Sequence, residues 1–177
     1  MRFFYLFLLL TFYTQARADH HVYIEYKVEI PFEIENQDVA NGFQVQYGNT
    51  LYWFVDYYLS WSLSKFNYGD RSYHMEKTGY SIGISSEHSF LSYLIGGYIG
   101  CTYKHYEMES NSNYIQEGSH EFGFELGALL IKPLSPNWDL YGRVGYEDSS
   151  RSTKINSLYD VDIDDQLITS FGVRYNF

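Results

Sequence analysis

The chain has 177 residues, 20% of them aromatic, and 22 Asp and Glu outweigh 12 Lys and Arg to leave a net charge of −10. That acidic balance speaks against a nucleic-acid partner, whose phosphates need a basic face. A single cysteine, Cys101, excludes an internally stapled scaffold, and beyond the N-terminus no stretch approaches the roughly 20 apolar residues of a spanning helix.

In chain order, the N-terminus comes first. MRFFYLFLLLTFYTQARADH has Arg2, an apolar run from Phe3 to Tyr13, and Ala16-Arg17-Ala18. These are the three parts of a secretory signal peptide, with cleavage expected after Ala18. An apolar run of about 11 residues is too short to cross a bilayer. Residues 1–18 are therefore expected as a leader and 19–177 as one domain with a sizeable core.

Eight segments then alternate with a period of two, the signature of strands. The first, about Val22 to Ile30, sets Val22, Ile24, Tyr26, Val28 and Ile30 against Tyr23, Glu25, Lys27 and Glu29, and Pro31 closes it. The second runs from about Gly42 to Tyr47. The third, Leu51 to Lys65, has the clearest stripe, from Leu51 through Trp53, Val55, Tyr57, Leu59 and Trp61 to Leu63. The fourth covers Thr78 to Ser85, the fifth Leu91 to Tyr106, the sixth His120 to Ile131, the seventh Trp138 to Glu147 and the eighth Leu167 to Phe177. Across them, one face is aliphatic with Tyr and Trp at its borders, and almost every ionisable residue falls on the other. Cys101 falls on the apolar face of the fifth, where a thiol behaves as a small apolar group.

A soluble sandwich alternates too, so the connections decide. Phe32–Asn41, Phe66–Lys77, Glu107–Ser119 and Asp148–Gln166 are long, whereas Gly48–Thr50, Ser86–Phe90 and Lys132–Asn137 are short. An even number of strands with short turns at one end and long loops at the other predicts an all-β, eight-stranded antiparallel up-and-down transmembrane barrel. Both termini and the tight turns would then share one side.

The strand count, the loop rhythm, the phrase from Leu134 to Tyr146 and the terminal Phe177 together resemble the small outer-membrane barrels of Gram-negative bacteria, the group of the OmpX type, the opacity proteins and the OmpA membrane domain. The resemblance implies a cell outer-membrane location. It also implies that Phe171, Val173, Tyr175 and Phe177 match the signal read by the barrel-assembly machinery, and it makes outer-membrane lipid and lipopolysaccharide expected neighbours.

Eight strands enclose a space that side chains fill. The inward list holds Glu25, Lys27, Glu29, Asp56, Lys104, Glu121, Glu125, Asp139, Arg143, Glu147 and Arg174, and buried charges must be paired or hydrated. A salt-bridged plug is expected; the alternative is a narrow gated channel in which the surplus acids line continuous water. The resembling family includes lipid A deacylases that join a His, a Ser and an acid near the outer rim. Here the neighbours are His88-Ser89 and Ser119-His120-Glu121, with no match beyond chance, so neither catalytic residues nor cofactor are expected, and a lipid A-modifying enzyme is the further alternative.

The run from Asp160 to Asp165 lacks the spaced glycine and terminal glutamate of a calcium loop, so no metal is expected. Its phase continues that of the eighth strand, which predicts one strand from about Tyr159 to Phe177. Strands longer than roughly 9 to 11 residues must stand above the membrane. Tyr68, Arg71, Tyr73, Tyr114, Arg151, Lys154 and Tyr159 are the candidate contacts there for a host surface or serum protein. The open alternative is that the loops shield the barrel mouth. Adhesion, resistance to host defence and envelope integrity are the expected roles.

Overall fold

The computed structural model describes residues 20–177 except 33–36, 53, 69–72, 111–114, 149–150, 156–158 and 164, and gives backbone alone at strand positions 68, 73, 110, 115–117, 119, 151–155 and 159–163. The expected leader lies outside these residues. The described strands are β1 (His20–Pro31), β2 (Ala40–Tyr52), β3 (Val55–Tyr68), β4 (Tyr73–Phe90), β5 (Tyr93–Ser110), β6 (Ile115–Pro133), β7 (Trp138–Glu147), β8 (Arg151–Ile155), β9 (Tyr159–Ile163) and β10 (Gln166–Asn176). Eight of them close an antiparallel barrel in the order β1-β10-β7-β6-β5-β4-β3-β2, and β8 and β9 form a separate hairpin. The closing seam joins the first and last strands, from His21 opposite Asn176 to Pro31 opposite Gln166. Closure leaves the ladder no edge over this height, so every backbone group finds a partner without water.

Alternation sets which side chains go in. Along β1, Tyr23, Glu25, Lys27 and Glu29 are buried while Ile24 and Tyr26 are exposed. Along β7, Asp139, Tyr141, Arg143 and Glu147 are buried while Leu140 and Val144 are exposed.

Two of the expected short turns sit elsewhere. Gly48 to Thr50 are part of β2, and the chain reverses between the end of β2 at Tyr52 and the start of β3 at Val55. Gly48 is small for packing and not for turning: a Cβ there would lie 2.1 Å from Nε2 of the inward-facing His21. Likewise Ser86 to Phe90 continue β4, because Glu87 pairs with Gly96 and Phe90 with Tyr93. That turn is Leu91-Ser92, with Leu91 at φ 56°, the left-handed conformation that a two-residue hairpin demands.

Two of the expected long loops are largely strand. β3 and β4 run to Tyr68 and from Tyr73, and β5 and β6 run to Ser110 and from Ile115, so only 69–72 and 111–114 connect them. Here the polarity pattern inverts. Below, apolar residues face out and polar ones in; above, Phe66, Met75, Tyr106 and Met108 turn inward into an apolar cluster with Ala40. Lys65, His74 and Glu109 are on the outside, where Lys65 pairs with Glu76 at 2.7 Å and holds its ammonium above the usual lysine range through that bond. A search for outward apolar residues stops at this inversion, although the strand geometry does not. β3 to β6 therefore form a wall that rises beyond β7, β10, β1 and β2.

The expectation of one strand from Tyr159 to Phe177 is also corrected. β9 pairs with β8, with Arg151 opposite Ile163 and Ile155 opposite Tyr159, and Asp165 lies outside both β9 and β10. The hairpin lies beside β6.

Candidate functional site

The interior is built in levels. At the tight-turn end, Nη1 of Arg174 on β10 donates to both carboxylate oxygens of Glu87 at 2.8 Å, and its Nε donates to Asp139 at 2.7 Å. Asn176 donates to the same Asp139 oxygen at 2.8 Å. A planar guanidinium suits this task because its fixed fork serves two carboxylates at once. Asp56 sits apart, with Nε2 of His21 at 3.8 Å.

Above this lies a layer of tyrosines, Tyr23, Tyr58, Tyr98 and Tyr141, with Leu129 and Ile131. Tyr23 and Tyr141 meet edge to face at 4.6 Å. Space for these rings comes from glycines on the facing strands: a Cβ at Gly145 would stand 2.1 Å from the Tyr98 hydroxyl, and one at Gly100 would stand 2.3 Å from that of Tyr58. Tyr58 donates to Glu125 at 2.9 Å.

The charged centre follows. Arg143 binds Glu25 at 3.1 Å and donates to Gln44 at 2.7 Å, while Ser170 bridges Arg143 and Glu25. Higher still, three lysines share two glutamates. Lys27 reaches Glu29 at 2.6 Å and Glu147 at 3.2 Å; Lys77 reaches Glu29 at 2.6 Å and Glu147 at 2.9 Å; and Lys104 reaches Glu147 at 3.4 Å. Gln166 accepts from Lys77 at 2.7 Å and Ser62 from Lys104 at 3.2 Å. Such a group survives out of water only because each charge has several partners. The Phe66, Met75 and Met108 cluster caps it.

All eleven inward charges expected from sequence thus face the interior, but they do not form one network. Asp56 and Glu125 stand outside the lysine cluster, and Glu121 lines a gap of about 10 Å³ beside Lys104, Thr102 and Asp148. Sequence reading missed Lys77, placed in a loop, and Glu87, placed in a turn. Each shares its parity with inward neighbours on the same strand, Ser81 and Ser85, and extending the phase of that strand a residue or two at each end would have found both.

Among the catalytic candidates, His120 and Glu121 lie on opposite faces. The His120 ring stacks outside on Tyr103 at 5.2 Å and His105 at 4.4 Å. His88 packs outside on Phe54 at 5.4 Å. No group of His, Cys, Asp and Glu suited to a metal occurs among the described residues.

Phe171, Val173 and Tyr175 face outward on β10 opposite Tyr26, Ile24 and Val22. Phe177 donates its amide to His20 at 2.9 Å and stacks on His20 and Tyr175. Of the expected outer contacts, Tyr68 and Tyr73 pair at the tip of the β3–β4 hairpin, and Arg151, Lys154 and Tyr159 lie on the β8–β9 hairpin, their side chains outside the described residues. Arg71 and Tyr114 lie wholly outside them.

The outward surface between the inversion and the tight turns is apolar, with Ile82 at 62% and Ile99 at 54% exposure. Its lower border is aromatic, where Trp138 packs on Tyr175 at 4.8 Å and Lys132 lies over Tyr93 at 4.5 Å.

No protein-family model matches the chain, and no curated protein matches its sequence. Solved structures do match its shape. Neisserial surface protein A aligns with a TM-score of 0.70 and 14% identity over 89% of this chain and 97% of that one. The outer membrane protein OprG from Pseudomonas aeruginosa aligns with a TM-score of 0.67 and 10% identity, over 90% and 96%. Ail, the attachment invasion locus protein of Yersinia pestis, gives 0.55 and 12%, over 90% and 97%. The chain has the fold of the small outer-membrane barrels.

Proposed function

We propose that the chain is a non-catalytic outer-membrane barrel of a Gram-negative bacterium that engages a partner, a host surface or serum protein, through its projecting wall. The observation that carries this is the inversion of polarity along β3 to β6. An apolar exterior around a polar interior suits lipid, and a polar exterior around an apolar interior suits water, so the change of sense marks a lipid–water boundary. On β3 the outward apolar run from Val55 to Leu63 spans about 27 Å of strand at roughly 3.4 Å per residue. At a tilt of about 40° that is about 20 Å, close to the apolar band of such barrels.

The wall and the β8–β9 hairpin then face outward, where exposed hairpins offer backbone and aromatic contacts to a partner. The tight turns and the Phe177 end of the closing seam then face the periplasm, within reach of an assembly machine. Ail, one of the proteins similar in fold, is named for attachment and invasion, which supports an adhesive role. A filled interior, from Arg174 through the tyrosine layer to the lysine cluster, favours this reading over conduction.

Cysteine labelling in a Cys101→Ser background tests the orientation. Arg71→Cys and Arg151→Cys should react with an impermeant maleimide on intact cells, and Ser135→Cys only after the outer membrane is opened; the reverse pattern overturns the assignment. Shortening 69–72 and 156–158 should abolish binding to host cells while heat-modifiable migration persists. Unchanged binding would refute the adhesive role.

A further inference from the structure

The barrel is filled over most of its height, but at the tight-turn end it opens into a cavity of about 740 Å³, within the usual size range of small-molecule sites. It opens between the turns, with Phe54, Ser89 and Asn137 at its rim and Asp56, Glu87 and Arg174 in its wall. The tyrosine layer closes its far end.

Its charge is unbalanced. Arg174 is the one Lys or Arg among the described lining residues, and it is shared by Glu87 and Asp139, so that group retains an excess negative charge. Asp56 adds another. Its side chain is only 9% exposed, it lines the cavity, and its one ionic neighbour among the described residues is His21 at 3.8 Å, beyond hydrogen-bond reach. Its carboxylate lines the open cavity with no donor on it from the described residues, so solvent alone serves it there. An incoming N–H⁺ group would meet an acceptor that the protein itself leaves open, in a mouth whose low-dielectric walls focus the negative field.

From the open carboxylate of Asp56 in this acidic cavity, we infer that the tight-turn mouth is a binding site for small molecules carrying a primary ammonium group. The ammonium docks on Asp56, and the remainder of the ligand lies in the cavity toward Asn137 and Ser89. Free polyamines and amine-bearing peptides share this chemistry.

The test is titration of the refolded mature chain, residues 19–177, in nanodiscs at about 0.15 M salt, followed by amide chemical shifts. Its arms are spermidine, a short lysine-containing peptide, and fully acetylated spermidine as the neutral control. Saturable binding in either ammonium arm is expected, with the acetylated compound at least about tenfold weaker, as the loss of one charge-assisted bond requires. Asp56→Asn should weaken binding by a similar factor while heat-modifiable migration is retained. Ser89→Lys, which brings the protein's own ammonium to the rim, should weaken it as well. Saturation by spermidine alone assigns the site to free polyamines, and saturation by the peptide alone assigns it to peptidyl amines. No saturation in either ammonium arm, equal binding of the acetylated compound, or undiminished affinity in both variants overturns the inference. None of these readouts depends on the outer wall or on a host partner.

Discussion

Lys77 and Glu147 meet 2.9 Å apart inside the barrel although they come from β4 and β7, which are not neighbours in the sheet. Lys77 also binds Glu29, so one ammonium ties β4 to β1 and β7 across the interior, which strand pairing alone cannot do. Glu147→Leu leaves Lys27 and Lys77 to share Glu29 and takes away the carboxylate that Lys104 reaches, and it should cost about 3–5 kcal/mol, as breaking a buried pair does. The double variant Lys77→Met, Glu147→Leu should cost less than the sum of the single changes. Urea unfolding in lipid vesicles measures both, and strict additivity would show that the two side chains do not interact.

The lipid boundary assigned to the polarity inversion makes a second prediction. Ile82 faces outward in the apolar band and Glu109 faces outward above it. Ile82→Arg should destabilise the inserted barrel by about 2–4 kcal/mol, the cost of a cation near the bilayer midplane, and Glu109→Arg by about 1 kcal/mol or less. Equal costs in a vesicle-unfolding assay would place the boundary elsewhere.

Leu91 is 90% exposed and holds φ at 56°, a conformation that costs a residue with a Cβ about 1–2 kcal/mol. Leu91→Gly removes that strain but loosens the unfolded chain. A net gain of about 1 kcal/mol in unfolding free energy is expected, and a clear loss would indicate that the leucine side chain has a contact worth more than the strain.

The Tyr98 hydroxyl is buried without a hydrogen-bond partner, while its ring receives the Arg143 guanidinium at 5.1 Å. Tyr98→Phe keeps the ring and discards the stranded hydroxyl, so it should be neutral or stabilising by about 1 kcal/mol. Tyr58→Phe, which removes the donor to Glu125, should instead destabilise by about 1–3 kcal/mol. Thermal melts of the pair in one detergent decide the contrast.

The count of barrel strands, their antiparallel sense and the inward or outward setting of residues within the expected segments were legible in the sequence, because a period of two is a property of the local backbone. Trp138–Glu147 was legible to the residue, since the proline-flanked turn before it and the acidic stretch after it interrupt the pattern on both sides. The heights of the strands were not. Phe66, Met75 and Met108 looked like loop because their apolar side chains switch to the inward face once the outside becomes polar.

For the candidate site, the inward phase of Glu29, Lys27 and Glu147 was readable, but their meeting with Lys77 was not. Cross-barrel contact depends on which strands lie opposite after closure and on the stagger between them, and neither is a local property. The same holds for Gly48, a turn signal by composition and a space for His21 in the folded chain. The sequence by itself determined a closed barrel with one apolar and one charged face, through the alternation that every strand carries. Only the tertiary structure decided which charges pair, how far the β3–β6 wall rises and where Asp56 is left open to a cavity, since these follow from register and closure across strands distant in sequence.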